Sequence, residues 1–255
     1  MKTVRSPKEL KPYSDSWRLK KLRVAFVPTM GALHDGHISL IKLALEHADK
    51  CVVSIFVNPT QFAPHEDFDA YPRTPEQDLE KLKQAGANLV YMPTEAAIYP
   101  GGTQSRVSTG PAAEGLESDF RPHFFGGVVN VVARLFDHVR PDLAVFGEKD
   151  FQQLMVIKDM VEAEHLPIEI IGAPIIRDEY GLALSSRNAY LSAPELEIAR
   201  TLNRVLKEAD STKSAETALL EAGFDKVDYV AERWGRRLAA AWIGKTRLID
   251  NRPYP

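Results

Sequence analysis

His34 and His37 stand three residues apart in Val24-Ala-Phe-Val-Pro-Thr-Met-Gly-Ala-Leu-His-Asp-Gly-His37, between an apolar run and a helical pattern. Val24 to Val27 reads as a buried strand that Pro28 ends, because proline cannot donate to the ladder. Gly31 and Gly36 bracket the turn. After His37 the apolar residues Ile38, Ile41, Leu45 and Ala48 follow one helical face. Two imidazoles at a helix start, where N–H groups lack partners and the dipole favours negative charge, point to an anion or phosphate site. Lone histidines there are more often capping or surface residues, and a glycine between strand and helix usually just permits a turn. His-x-x-His is also half of a metal site, but no Cys/His cluster completes it and no protein metal ligand is assigned.

Other polar groups fall at the ends of predicted strands. Asn58 and Gln61 follow Cys51 to Val57. Gly147, Lys149 and Asp150 follow Asp142 to Phe146. Gly181-Leu-Ala-Leu-Ser-Ser-Arg-Asn188 follows Ile175-Ile176. Lys149 is a compact cation, Arg187 a planar fork suited to phosphate oxygens, and Ser185 and Ser186 are donors. No Ser/Cys–His–Asp order demands a covalent intermediate. Phosphoryl or nucleotidyl transfer needs mainly positioning and charge neutralisation, which these groups suit. Magnesium bridging phosphates would use few protein ligands and leave almost no sequence trace.

The elements that must carry these residues alternate. Ser6 to Arg18 reads as a helix capped by Ser6-Pro7. Pro75 opens another helix running to Gln84, stopped by Gly86, and Leu89 to Met92 is a short strand. Asp67 to Arg73 is loop. Residues 99 to 125 lack a period and read as a functional flap. Helices are expected over Val128 to Val139 and after Asp150, with strands at Ile168 to Ile171 and Ile175-Ile176. Alternation of this kind implies a doubly wound parallel sheet of the Rossmann-like kind, whose ligand crevice lies past the carboxyl ends of the strands. From about Ser192 to Pro255 the pattern changes, and the junction is expected near Ile176. Pro194 to Ala209 and Ala215 to Ala222 look helical, and Val227 to Val230, Leu238 to Trp242 and Arg247 to Ile249 look like strands. The expectation is a first domain over 1–175 and a smaller α+β lid domain over 176–255.

Composition narrows the class. The 255 residues carry 32 Lys+Arg against 35 Asp+Glu, a net charge of −3. That argues against nucleic acid as the main partner. No stretch reaches the roughly 18 apolar residues of a membrane span. Met1 to Arg23 is polar with no signal-peptide core, and Cys51 is the single cysteine, so a cytoplasmic setting is expected.

Five motifs in register carry a family resemblance. Pro28-Thr-Met-Gly-Ala-Leu-His-Asp-Gly-His37, Ser54-Ile-Phe-Val-Asn-Pro-Thr-Gln-Phe62, Tyr71-Pro-Arg-Thr74, Phe146-Gly-Glu-Lys-Asp-Phe-Gln-Gln153 and Gly181 to Asn188 resemble the pantoate–β-alanine ligases, members of the His-x-Gly-His nucleotidyltransferase group. Arg247-Leu-Ile-Asp-Asn251 matches near the C-terminus. The resemblance implies an ATP-dependent ligase that forms pantoyl adenylate and passes the acyl group to β-alanine, with Mg2+ and as a homodimer. It implies an ATP site from Met30, Gly31, His34, Gly36, His37, Gly147, Glu148, Lys149, Asp150, Ile176, Leu184, Ser185, Ser186 and Arg187. His37 would be the proton donor, with His34, Lys149 and Arg187 assisting. Gln61, Gln153, Asn58 and Met30 would hold pantoate and β-alanine. Imidazoles facing a polyphosphate are expected in their protonated form. The chain departs from the family pattern at His123, one position early, at Asn130 where threonine is common, and in a short Val230 to Leu238 segment. A related transferase sharing the ATP residues would have no use for Asn-Pro-Thr-Gln or Phe-Gln-Gln. A catalytically inert nucleotide-binding module would have no need to keep His34, His37, Lys149 and Arg187.

Overall fold

The computed structural model describes residues 1–62 and 68–254. In chain order its elements are β1 (Lys2–Val4), α1 (Pro7–Leu19), β2 (Val24–Thr29), α2 (Asp35–His47), β3 (Lys50–Ile55), α3 (Pro75–Gln84) and β4 (Leu89–Tyr91). Then follow α4 (Glu95–Ile98), α5 (Glu117–Phe120), α6 (Phe124–Val139), β5 (Leu143–Gly147), α7 (Phe151–Ala163) and β6 (Glu169–Ala173). The remainder holds α8 (Ala193–Glu208), α9 (Thr212–Glu221), β7 (Lys226–Arg233), β8 (Arg236–Ile243) and β9 (Thr246–Pro253). The chain divides into two compact units, 1–148 with 152–173, and 149–151 with 174–255.

The first unit is a six-stranded sheet of order β1-β4-β3-β2-β5-β6, every pair parallel. Successive strand residues face opposite sides. Ala25, Val27, Cys51, Val53, Leu143 and Val145 pack under α2 and α3, through Leu40, Ile41, Ala44 and Leu82. Phe26, Phe146 and Tyr91 face the other way and meet α6, with Phe136 edge-on to Phe26 and Phe146 at 6.2 and 6.5 Å and His138 bonded to Tyr91. Helices on both faces make the sheet doubly wound, as expected. The connection order turns around between β2 and β5, the usual place for a ligand crevice in such sheets.

Pro28 does not end its strand. β2 continues to Thr29, in register with β3 through Pro28↔Ser54 and Thr29↔Ile55. The Thr29 carbonyl accepts the Phe56 N–H, so Thr29 turns its polar groups toward β3 and Pro28 turns the opposite way. On that side the pairing with β5 has already stopped at Phe26↔Ala144, so no donor is missed. Helix α2 begins at Asp35, before the apolar pattern starts, because His34 supplies a side-chain cap. No strand forms at Ile175-Ile176; that segment leads into a reversal closed by the Arg177↔Ala183 bridge. β1 is an edge strand missed in the sequence, three residues being too short for any period to register. The loop expected from Asp67 begins outside the described residues.

The 99–125 segment is anchored rather than loose. Arg134 donates to the carbonyls of Ile98, Gly102 and Gln104, and Asn130 to that of Thr103. Gln152 donates to the carbonyls of Ala112 and Gly115 and accepts from the Glu117 N–H, while Asp159 accepts from Ala112. Asn130 thus serves the flap's attachment.

The second unit is the antiparallel sheet β7-β8-β9 with α8 and α9. Its strands are longer than the sequence pattern indicates, because the short Val230 to Leu238 segment is a tight hairpin around Trp234-Gly235, both with positive φ. Ala199, Leu202 and Leu206 of α8 and Ala215 and Leu219 of α9 pack with Ala239, Ala241 and Leu248.

Candidate active site

The loop between β2 and α2 carries Met30, Gly31, His34, Gly36 and His37 and is closed upon itself. Thr29 Oγ donates to the Ser54 carbonyl at 2.7 Å and accepts the Gly31 N–H at 3.3 Å. Gly31 and Ala32 are both left-handed, φ +85° and +50°. The Ala32 and Leu33 N–H groups go to the two oxygens of Asp78, at 3.0 and 2.8 Å. His34 N–H goes to His37 Nδ1 at 3.3 Å and Gly36 N–H to His34 Nδ1 at 3.2 Å, the reciprocal capping arrangement of a helix start.

This corrects one sequence expectation. The loop is not a backbone cradle for phosphate, since the N–H groups of residues 31 to 34, 36 and 37 all have protein acceptors. What the loop offers an anion is its side chains and the helix dipole. Each Nδ1 accepts a backbone N–H, so each ring is set as the neutral tautomer with its proton on Nε2. The ring centroids are 4.1 Å apart.

Next along the sheet, β3 ends in a 3-10 turn over Pro59–Gln61. Asn58 is 1% exposed. Its Oδ1 accepts the Tyr99 hydroxyl at 2.7 Å and the Thr60 N–H and Oγ at 3.3 and 3.0 Å. Its Nδ2 donates to Gln61 Oε1 at 3.0 Å and the Gly127 carbonyl at 3.2 Å. Burial raises the Tyr99 hydroxyl's pKa against the pull of its Thr60 and Asn58 bonds, so it stays a donor. Asn58, expected to touch substrate, is therefore committed to the protein and orients its neighbour. With Gln61 Oε1 occupied, Gln61 presents Nε2, which has no acceptor among the described residues. Arg121 holds the Gln61 backbone carbonyl at 3.2 Å and stacks on Phe124. Gly127 lets α6 abut this turn: a Cβ there would lie 2.4 Å from the Thr60 carbonyl oxygen.

On the other flank of β2, β5 ends at Gly147. Leu40 of α2 lies 4.0 Å from where a Gly147 Cβ would be, and the Glu148 side chain runs over Gly172. Gln153 sits in the first turn of α7, half-buried, with no side-chain hydrogen bond among the described residues. The order β3-β2-β5 thus sets the histidine loop between the strand ends leading to Gln61 and to Gln153.

The second unit holds the other expected residues. Lys149 has its ammonium 3.8 Å from Asp150. The Lys149 carbonyl accepts from Asn251 Nδ2 at 2.9 Å, and Asn251 Oδ1 accepts from Arg236 at 2.8 Å. Ile176 and Leu184 are joined by the Leu184 N–H to Ile176 carbonyl bond at 2.9 Å. Ser185 caps a 3-10 turn, Ser186–Tyr190, by accepting the Arg187 N–H at 3.3 Å. Beneath this turn, Arg177 makes a two-pronged pair with Asp250, at 2.6 and 2.8 Å, and donates to the carbonyls of Gly181 and Asn251. Ile176, Leu184, Ser185, Ser186 and Arg187 are brought onto one reversal, and Lys149 and Asp150 onto one turn.

Sequence reasoning passed over Asp78, Lys81, Gln152 and Asn251. For Asp78 a signal existed: an acid occupies an inward position of α3, one turn before buried Leu82. Asn251 lay inside a quoted motif but had no role.

Known proteins match the whole chain. A family model described as pantoate-beta-alanine ligase matches residues 2–253. A pantothenate synthetase of Mesorhizobium japonicum is 54% identical over 275 residues, covering 99% of this chain and 97% of its own. One from Caulobacter vibrioides is 48% identical, covering 97% and 96%. The crystal structure of pantothenate synthetase from Thermus thermophilus has a TM-score of 0.90 at 40% identity, over 100% of each chain. That of pantoate-beta-alanine ligase from Francisella tularensis, complexed with beta-gamma ATP and beta-alanine, gives 0.92 at 37% identity, over 99% and 97%.

Proposed function

We infer the division of labour among these residues from one premise: this chain belongs to the pantoate-beta-alanine ligase family. It joins pantoate to β-alanine at the expense of ATP, giving pantothenate, AMP and pyrophosphate. A pantoate carboxylate oxygen attacks the α-phosphorus and pyrophosphate leaves. The β-alanine amine then attacks the acyl carbon of the adenylate, AMP leaves with the bonding pair, and the amine gives up a proton.

His37 and His34 donate through Nε2 to the phosphate oxygens, meeting charge as it builds without giving up the Nδ1 bonds that hold the rings. Met30, Gly31 and Gly36 shape the surface beside them. Gln61 and Gln153 bind pantoate. The Nε2 of Gln61 suits its carboxylate and hydroxyl oxygens, and the same donor serves β-alanine. Gly147 and Glu148 line the nucleotide, Lys149 and Arg187 carry the positive charge, and Asp150, Ile176, Leu184, Ser185 and Ser186 complete that set. Residues 1–175 form the larger ATP- and pantoate-binding domain, and 176–255 the smaller domain that adds Ile176, Leu184, Ser185, Ser186 and Arg187 to the ATP set. Among the described residues no three His, Cys, Asp or Glu side chains form a metal cluster. Mg2+ carried in by the phosphates would neutralise the leaving pyrophosphate. The protein works in the cytoplasm as a homodimer on this reading, which sedimentation of the purified chain would test.

The observation that carries the reading is the Gln61 amide, turned by a fully buried Asn58 to present donors at the strand end beside the histidine loop. A transferase acting on a phosphorylated substrate has no use for that arrangement. The experiment is pyrophosphate release from ATP with and without pantoate, followed by AMP release on adding β-alanine. Release dependent on pantoate, then AMP dependent on β-alanine, supports the assignment. Pyrophosphate release indifferent to pantoate, or none at all, overturns it.

A further inference from the structure

Asp78 sits in the first turn of α3, more than forty residues from the histidines in sequence, yet it is 1% exposed and its carboxylate closes on their loop. Oδ2 accepts the Ala32 N–H at 3.0 Å, Oδ1 accepts the Leu33 N–H at 2.8 Å, and Thr74 Oγ adds a third bond at 3.3 Å. One turn along α3, Lys81 Nζ donates to the Leu33 carbonyl at 2.6 Å. The acid and the lysine thus take donors and acceptor of one short stretch.

That stretch is one a chain does not adopt unaided. Two consecutive left-handed residues, Gly31 and Ala32, turn successive N–H groups into one concavity, and alanine is disfavoured there. Such concavities attract an anion. Here the anion is part of the protein. The fit is close, for a Cβ at Gly31 would come within 3.1 Å of Asp78 Oδ2. Immediately beyond Leu33, the His34 backbone and ring set both capping bonds.

The geometry points to Asp78, backed by Lys81, as the positioning residue of the adenylation step. It acts through His34 and His37 by locking the bend from which α2 and both imidazoles start. It touches no substrate. This rests on the imidazole roles assigned above, and the tests below separate the two.

Asp78→Asn keeps the size but replaces one acceptor with a donor facing an N–H. In the full-length variant the kcat for pantoate-dependent pyrophosphate release is expected to fall about 10- to 100-fold, with both KM values within about threefold, the pattern of displaced catalytic groups. In 15N spectra of the histidine rings, the His34 and His37 signals should lose the Nε2–H pattern and move toward tautomer averaging. A fold staple alone would leave those signals unchanged. Lys81→Met keeps the apolar stem, loses the Leu33 bond, and should shift both readouts the same way by a smaller step. The inference is overturned if Asp78→Asn turns over within threefold of wild type, or is slow with unaltered ring signals. Should Asp78→Asn not fold, unaltered Lys81→Met overturns it instead. His37→Asn is run beside them. If it is inactive while Asp78→Asn is normal, only the positioning role falls; if it is fully active, the imidazole assignment falls first.

Discussion

The imidazoles of His34 and His37 stack at a tilt, 4.1 Å between centroids, each with Nδ1 turned back onto a backbone N–H near the start of α2. The rings are at once helix caps and the reagents assigned to phosphate, and the two jobs use different nitrogens. Substitution can therefore separate them.

His37→Asn offers an amide oxygen where Nδ1 was and nothing where Nε2 was. Its stability should stay near wild type, whereas His37→Ala should lose about 0.5–2 kcal/mol with the cap. Both should slow adenylation by about 100-fold or more. Urea titrations beside pyrophosphate release measure the two effects independently.

Gln61→Glu retains an oxygen to accept from Asn58 but turns a second oxygen toward the bound carboxylate. The pantoate KM is expected to rise about 10- to 100-fold, with the fold intact, because a donor has become a like charge. Gln153→Ala should weaken pantoate binding in the same direction, by less. Pantoate titrations indistinguishable from wild type would remove both residues from the substrate's contacts.

Lys149→Ala loses only a 3.8 Å contact to half-exposed Asp150, a pair contributing about 0–1 kcal/mol. Its melting temperature should hardly move while adenylate formation disappears. Near-normal pantoate-dependent pyrophosphate release from the purified variant would reject its role.

Gly127→Ala tests the seat of α6. Alanine in place of a helical glycine ordinarily stabilises by about 1 kcal/mol. Here the added Cβ would meet the Thr60 carbonyl oxygen at 2.4 Å. The turn bearing Asn58 and Gln61 must shift, so stability should fall and the pantoate KM rise together. Thermal melts and saturation curves on one preparation check the pairing.

His138 governs a pH dependence of stability. Burial holds its pKa below 6.5; Arg134 adds to that and Asp137 opposes it. Its Nδ1 bonds the Tyr91 hydroxyl at 2.9 Å, a group that burial keeps protonated. The lowered pKa means the unfolded chain takes up the proton first as pH falls below 6.5. In that window the unfolded state binds more protons, so stability rises with pH, with a slope of at most about 1.4 kcal/mol per pH unit from this group. Denaturant midpoints between pH 7.5 and 5.5 should drop, and His138→Asn should flatten that part of the slope.

The parallel architecture was legible because buried strands such as Cys51 to Val57 and helices such as Pro75 to Gln84 carry their own periods and stop signals. Gly86, with φ +87°, ends α3 where the glycine stood in the sequence. The errors came from partners remote in the chain. Whether Pro28 ends a strand depends on how far β5 follows β2. Whether loop N–H groups await a ligand depends on Asp78, and nothing in the histidine motif announces an acid on another helix. Asn58 was legible as important but not as buried, since the Tyr99 and Gly127 contacts that enclose it arise only from packing.

The proline in β2 carries one more consequence. Beyond Phe26, β5 goes on pairing with β6 as far as Gly147↔Ala173, but no longer with β2. A residue with an amide proton at position 28 would leave that proton stranded at the parting, or recruit β5 to satisfy it and zip the sheet shut. Proline does neither, so the two strands diverge without an orphaned donor. The parting from which the histidine loop springs thus leaves no backbone donor unsatisfied at position 28.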